Sequence, residues 1–233
     1  MQLLLATALA IGVVHTLIGP DHYLPFVLLA RERNWSTRRT LSITVLCGAG
    51  HCASSIAIGV VGIGAGLALG GLEALEAARG ELAAWLLLAF GLSYTAYSLR
   101  RAYRGRRHEH PHIHADGTVH THAHNHAGDH EHRHAHAPAA TGPLLASLFV
   151  IFVLGPCEAL IPMLMYPAAQ SSLAGVAAVT AVFSVTTIVT MVTAVAIALR
   201  GARLLPGVFA SHYSGVVSGL LIGACGGAML LGL

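Results

Sequence analysis

Six apolar stretches constrain this chain more than any other feature, because each is long enough to cross a bilayer. They lie near Leu3–Ala30, Leu41–Leu69, Leu82–Leu99, Leu144–Ala168, Gly175–Leu199 and Pro206–Leu233. A helix needs about 20 mostly apolar residues to span hydrocarbon, where only helices and closed barrels satisfy their own backbone. Charged residues make up 10 % of the chain and apolar residues 55 %, against roughly 25 % charged in soluble domains. The first stretch has no basic leading segment and runs on into His15 and Asp21–His22, which argues against a cleavable signal peptide. The expectation is an all-α membrane protein with six transmembrane helices.

Arginine sets the expected orientation. The chain has no lysine, and all 13 of its basic residues are arginine. They cluster at Arg31–Arg39, at Arg100–Arg107 and at Arg200–Arg203, with Arg133 between, that is, after the first, third and fifth stretches. Arg79 alone falls on the other side, in what reads as a loop beside Glu73, Glu76 and Glu81. The positive-inside rule then places the arginine-rich loops in the cytoplasm and both termini outside, as expected for a bacterial inner-membrane protein. The net charge of +3 follows from this distribution and carries no nucleic-acid signal.

Two of the stretches share a pattern. The first reads VVHTLIGPDHYLPFVLLA and the fourth VIFVLGPCEALIPMLMYPA. Each has an apolar half, a Gly-Pro break (Gly19-Pro20, Gly155-Pro156), an acidic residue, a second proline and another apolar half. Three spans starting outside followed by three starting inside give two inverted three-helix repeats with broken first and fourth helices. In that architecture the binding site lies near the midplane, where the broken helices meet. The organisation expected is a first repeat over 1–103, a disordered His-rich cytoplasmic loop over 104–143 and a second repeat over 144–233.

Histidine supplies the chemistry. Twelve of the sixteen histidines fall in His108–His136, a stretch nearly free of bulky apolar residues and suited to weak, multi-site metal capture. His15, His22 and His51 lie inside apolar runs, where an ionisable residue points to function. Asp21 and Glu158 are the acidic residues expected inside the membrane, where a carboxylate costs about 2.5–3.5 kcal/mol on the insertion scale. Cys52 adjoins His51, and Cys157 adjoins Glu158. His15, Asp21, His22, His51, Cys52, Cys157 and Glu158 make a candidate mixed shell for Ni²⁺ or Co²⁺, with Zn²⁺ as a third candidate. Ser184, Thr187 and Met191 form a polar face on the fifth span. A lone membrane histidine often only bridges helices, and Cys47 and Cys225 read as packing residues; the functional reading rests on the conjunction across three spans.

HTLIGPDH, from His15 to His22, resembles the HxxxxDH signature of the nickel/cobalt transporter family, with a spacing one residue longer. It is more similar to the HxxxGPDH motif of nickel/cobalt exporters and urease-accessory membrane proteins. GAGHCASS around His51 resembles the second-span GHS element of that family, with Cys52 in place of the serine. The resemblance implies six or more helices, divalent-metal transport, and ligation by His15, Asp21, His22 and His51. Export is then favoured over uptake, with Asp21 and Glu158 exchanging protons for metal. The partners expected are the lipid bilayer and the transported metal, with no permanent cofactor and no nucleic acid. A second copy of the chain or a metallochaperone is a further candidate partner.

Two other function classes fit parts of the pattern. A membrane thiol–disulfide electron carrier resembling the cytochrome-biogenesis proteins needs a reactive cysteine in each half; this chain has Cys157 after the second break but Asp21 and His22 after the first. An accessory protein for urease or hydrogenase maturation would bind metal on the loop and use the spans as an anchor. No hydrolase triad, P-loop or Gly-rich nucleotide motif occurs, so no enzymatic activity is expected.

Overall fold

The structure, a computed structural model, describes residues 1–66, 68–104, 108–113, 119–124, 141–157, 159–170, 172–203 and 213–232. Glu158, His212 and the segments 114–118 and 125–140 of the His-rich stretch lie outside the described residues. The packed body is all-helical. Three of its helices are long and apolar enough to cross a membrane, over Thr37–Gly64, Leu69–Tyr103 and Leu173–Ala202. Shorter apolar helices cover Gln2–Ile18, Gly142–Leu154, Leu160–Ala169 and Ser214–Leu230.

The first expected span is two helices with a break. α1 (Gln2–Ile18) stops at Gly19, whose N–H bonds His15 O at 3.2 Å, because Pro20 cannot supply the next helical donor. A single 3₁₀ turn, Pro20–His22, leads into α2 (Leu24–Glu32), which carries Pro25 in its first turn, where a missing N–H costs nothing. α3 (Thr37–Gly64) begins at Ser36, whose hydroxyl accepts Arg39 N–H at 3.3 Å as an N-cap.

α3 is built inside-out relative to a soluble helix. Its buried stripe includes Thr40, Thr44, Gly48, His51, Ser55 and Gly59, while Val45, Leu46, Val60 and Val61 are exposed. The apolar face outward and the small and polar face inward is the arrangement a lipid environment favours.

α4 (Leu69–Arg104) corrects the third expected span. The helix begins well before Leu82 and runs 36 residues, about 54 Å at the standard rise. Leu, Ala, Glu and Arg dominate residues 69–81, and these are strong helix formers, so nothing in that segment ends the helix. Glu76 and Arg79 are therefore not loop residues: Glu76 is 0 % exposed and Arg79 9 %. Glu76 is accordingly an acidic residue set among the apolar helices besides the two expected there.

Within 104–143, where no ordered structure was expected, the described residues pair as an antiparallel hairpin of β1 (His108–Ile113) and β2 (Val119–His124). The register aligns His108 with His124, His110 with His122 and His112 with His120. Alternating His-x-His has the two-residue period of a strand, which is compatible with that pairing.

The second half repeats the break. α5 (Thr141–Leu154) ends ahead of Gly155-Pro156, and α6 (Leu160–Ala169) follows. α7 (Leu173–Arg203) and α8 (Ser214–Leu230) complete the body. α4 packs along α8, α1 along α7, and α3 against both α5 and α7. Two apolar clusters result. One contains Phe26 of α2, Leu148 and Phe152 of α5, and Met191 of α7. The other contains Ala8 of α1, Leu160 and Leu164 of α6, and Phe183 of α7. Each broken span thus has one half in each cluster, and the two run through them in opposite order.

Candidate metal centre

The two breaks bring three imidazoles together. His15 leaves the last turn of α1, His22 ends the 3₁₀ turn, and His51 projects from the middle of α3. Ring centroids lie 4.7 Å apart for His15 and His22, 5.3 Å for His22 and His51, and 6.3 Å for His15 and His51. His22 and His51 are buried, at 4 % and 2 % exposure.

Backbone carbonyls fix the tautomers of two of the rings. His22 Nδ1 lies 3.2 Å from Gly19 O, and His51 Nδ1 lies 3.2 Å from Phe152 O. A carbonyl oxygen only accepts, so Nδ1–H donates in each pair and Nε2 is left as the lone-pair end. Among the described residues, the Nε2 atoms of His15, His22 and His51 are all buried without a hydrogen-bond partner. Orphaned ring nitrogens are costly in an apolar interior, and the backbone-oriented imidazoles of His22 and His51 have the usual second-shell arrangement of a metal ligand.

Cys157 joins them from the second break. Its thiol is fully buried, and the ligand atoms of His15, His51 and Cys157 all lie within 4.8 Å of one another. Asp21 stands behind the cluster: its Oδ2 is 3.3 Å from His22 Nδ1, the ring end facing away from Nε2, so it orients the imidazole. Cys52 is buried but is not among the donors that converge. Glu158 lies outside the described residues. Of the seven residues expected, the fold brings donor atoms of His15, His51 and Cys157 together, sets the His22 ring beside those of His15 and His51, and places Asp21 against His22.

Glycine precedes proline at both breaks for reasons of space. Gly19 has φ −83°, which any residue adopts, but a Cβ there would lie 2.6 Å from His22 Nδ1 and 2.7 Å from Asp21 Oδ1. At Gly155 a Cβ would meet His51 Nδ1 at 3.2 Å.

Two cavities adjoin the cluster. A cavity of about 20 Å³, enough for one water-sized particle, is lined by Asp21, His22, His51, Phe152, Gly155 and Met229 among others. A larger one of about 470 Å³ is lined by His15, Gly80, Glu81, Pro156 and Met229, with the end of α8. Met229 borders both. On α7, Thr187 and Met191 are fully buried, and the Thr187 hydroxyl has no partner among the described residues, so the expected polar face points inward.

Sequence reasoning missed the acidic group that reaches the second break. Glu76 Oε2 accepts the Cys157 N–H at 3.1 Å and pairs with Arg79 Nη2 at 2.8 Å. Arg79 Nη2 also donates to Gly155 O at 2.7 Å and to the Ser55 hydroxyl. The signal was spacing: Leu72, Glu76, Arg79 and Ala83 all lie on the buried stripe of α4 at helical intervals. All four cysteines are buried with free thiols.

No family model, curated protein or solved structure matches the chain.

Proposed function

We propose that this protein is a membrane transporter of divalent transition metal ions, with Ni²⁺ or Co²⁺ as substrate and Zn²⁺ as the competitor its donors also suit. The observation that carries the reading is that donor atoms of His15, His51 and Cys157 lie within 4.8 Å of one another, with the His22 ring beside them and the Nε2 atom of each imidazole unpartnered among the described residues. Imidazole and thiolate suit these borderline metals, whereas Mg²⁺ and Ca²⁺ require oxygen. The HTLIGPDH motif that resembles nickel/cobalt transporters contains two of the three histidines.

The helix contacts support two inverted three-helix repeats. Several occur in pairs that exchange the halves: α1 with α7 and α3 with α5, α2 with α8 and α4 with α6, α2 with α7 and α3 with α6; the contact of α4 with α5 has no such counterpart. α3 with α7 and α4 with α8 map onto themselves. A site where the two breaks cross is where such transporters hold substrate. The arginine pattern supports a cytoplasmic His-rich loop more simply than sequence reading alone, because Arg79 is paired inside the bundle and no longer stands as an exception. Export remains the favoured direction. The larger cavity then serves as the vestibule through which metal leaves His15, with Met229 between it and the other histidines. The thiol–disulfide alternative gains no support from four buried free thiols.

The test is the nickel, cobalt and zinc content of cells expressing the protein, compared with cells expressing His22→Ala at equal membrane level. Lower metal in the wild type than in the variant is expected; equal content for all three metals would sink the proposal.

A further inference from the structure

The second break is held by a helix that contributes no metal donor. Pro156 has no N–H, and the turn at Gly155–Cys157 releases backbone groups from helical pairing, among them Phe152 O, Gly155 O and Cys157 N–H. Phe152 O is satisfied by Gly155 N–H at 3.1 Å and by His51 Nδ1 at 3.2 Å. The other two are taken by α4, with Arg79 Nη2 on Gly155 O at 2.7 Å and Glu76 Oε2 on Cys157 N–H at 3.1 Å. The first break instead closes on itself, since Gly19 O accepts both His22 N–H at 3.1 Å and His22 Nδ1 at 3.2 Å.

Stability is a weak reason to keep this ion pair. A buried pair replaced by apolar residues of similar volume is often neutral or more stable, since desolvation offsets the attraction. Glu76 is fully buried, and among the described residues Glu76 Oε1 and Arg79 Nη1 have no partner, so the pair is not optimised as a salt bridge. What it does achieve is geometric: two bonded side chains grip the backbone on both sides of Pro156, immediately beside the Cys157 thiol.

We propose that Glu76 and Arg79 are positioning residues that clamp the second break, so that Cys157 Sγ stays within ligand distance of His15 and His51. The proposal rests on the metal-binding reading above.

The test uses the full-length protein in detergent titrated with Co²⁺. The d–d absorption reports all bound cobalt, and the sulfur-to-cobalt charge-transfer band reports thiolate ligation alone, because the loop histidines bring no sulfur. Cys157→Ser identifies which thiol gives the band. Glu76→Leu/Arg79→Leu removes the clamp without stranding a charge, and Glu76→Met/Arg79→Met removes it with longer side chains if the leucine pair does not fold. Either folded variant should keep the d–d absorption and lose most of the charge-transfer band. The Kd for Co²⁺ should rise tenfold or more, the scale of second-shell losses. A folded variant with the band and affinity unchanged overturns the clamp while leaving the site intact, provided Cys157→Ser removes the band. No charge-transfer band in the wild type overturns both, since Cys157 would then not be a ligand.

Discussion

His22 shows how tightly single residues are coupled at the first break. Its Nδ1 is shared between Gly19 O and Asp21 Oδ2, and its ring centroid lies 4.7 Å from that of His15 and 5.3 Å from that of His51. Gly19 leaves the space this ring occupies. Gly19→Ala should therefore push His22 aside and weaken Co²⁺ binding about tenfold, with helicity retained. Gly155→Ala should cost less, because the His51 ring is 3.2 Å rather than 2.6 Å from the added methyl group. Cobalt titration of the two variants in detergent checks the order, and equal, undiminished affinities would mean that the rings are not held by these contacts. His15, His22, His51 and Cys157 were legible in the sequence because imidazole and thiol beside Gly-Pro in apolar runs are conspicuous. Glu76 and Arg79 were not, because a run containing Glu73, Glu76, Arg79 and Glu81 has the composition of a water-facing loop. Only the helical spacing of two of those charges separates them from Glu73 and Glu81, which are exposed.

Among the elements, the α4–α8 pair shows what holds a lipid-facing bundle together. Gly91 of α4 lies against the backbone of α8, where an added Cβ would come 2.5 Å from Gly223 Cα and 2.7 Å from Gly219 O. Gly219 and Gly226 return the contact against Thr95 N and Leu88 N, at 2.6 Å and 2.5 Å for an added Cβ. Small residues allow this close approach, and van der Waals packing replaces the hydrophobic drive that lipid does not supply. Position 223 differs: an added Cβ would have 3.8 Å of room. Gly91→Ala and Gly219→Ala should each destabilise by about 1–3 kcal/mol, the usual cost of overpacking, whereas Gly223→Ala should be close to neutral. Thermal unfolding in one detergent measures the contrast, and equal losses at positions 91 and 223 would contradict the packing described. The breaks at Gly19-Pro20 and Gly155-Pro156 were legible because proline removes a donor. The start of α4 was not, since the apolar window that marks a span cannot see a helix continuing through charged residues.

At the scale of the whole molecule, the two broken spans pass through the same pair of apolar clusters in opposite order and expose their breaks to each other. The first delivers His15 and His22, the second delivers Cys157, and α3 adds His51 between them. The exterior agrees with a bilayer as surroundings: Leu3, Ile18, Val61 and Leu173 are each more than 70 % exposed, a burden that a soluble monomer avoids. A bundle of this kind has its polar chemistry inside, where metal can exchange hydration for imidazole and thiolate without meeting lipid. The most direct measurement is Co²⁺ flux through purified protein in liposomes containing a metal-sensitive dye, comparing wild type with His22→Ala and His51→Ala. Saturable wild-type flux, reduced at least a hundredfold in both variants, is predicted. Wild-type flux no greater than that of protein-free liposomes, or equal flux in all three proteins, would contradict the account.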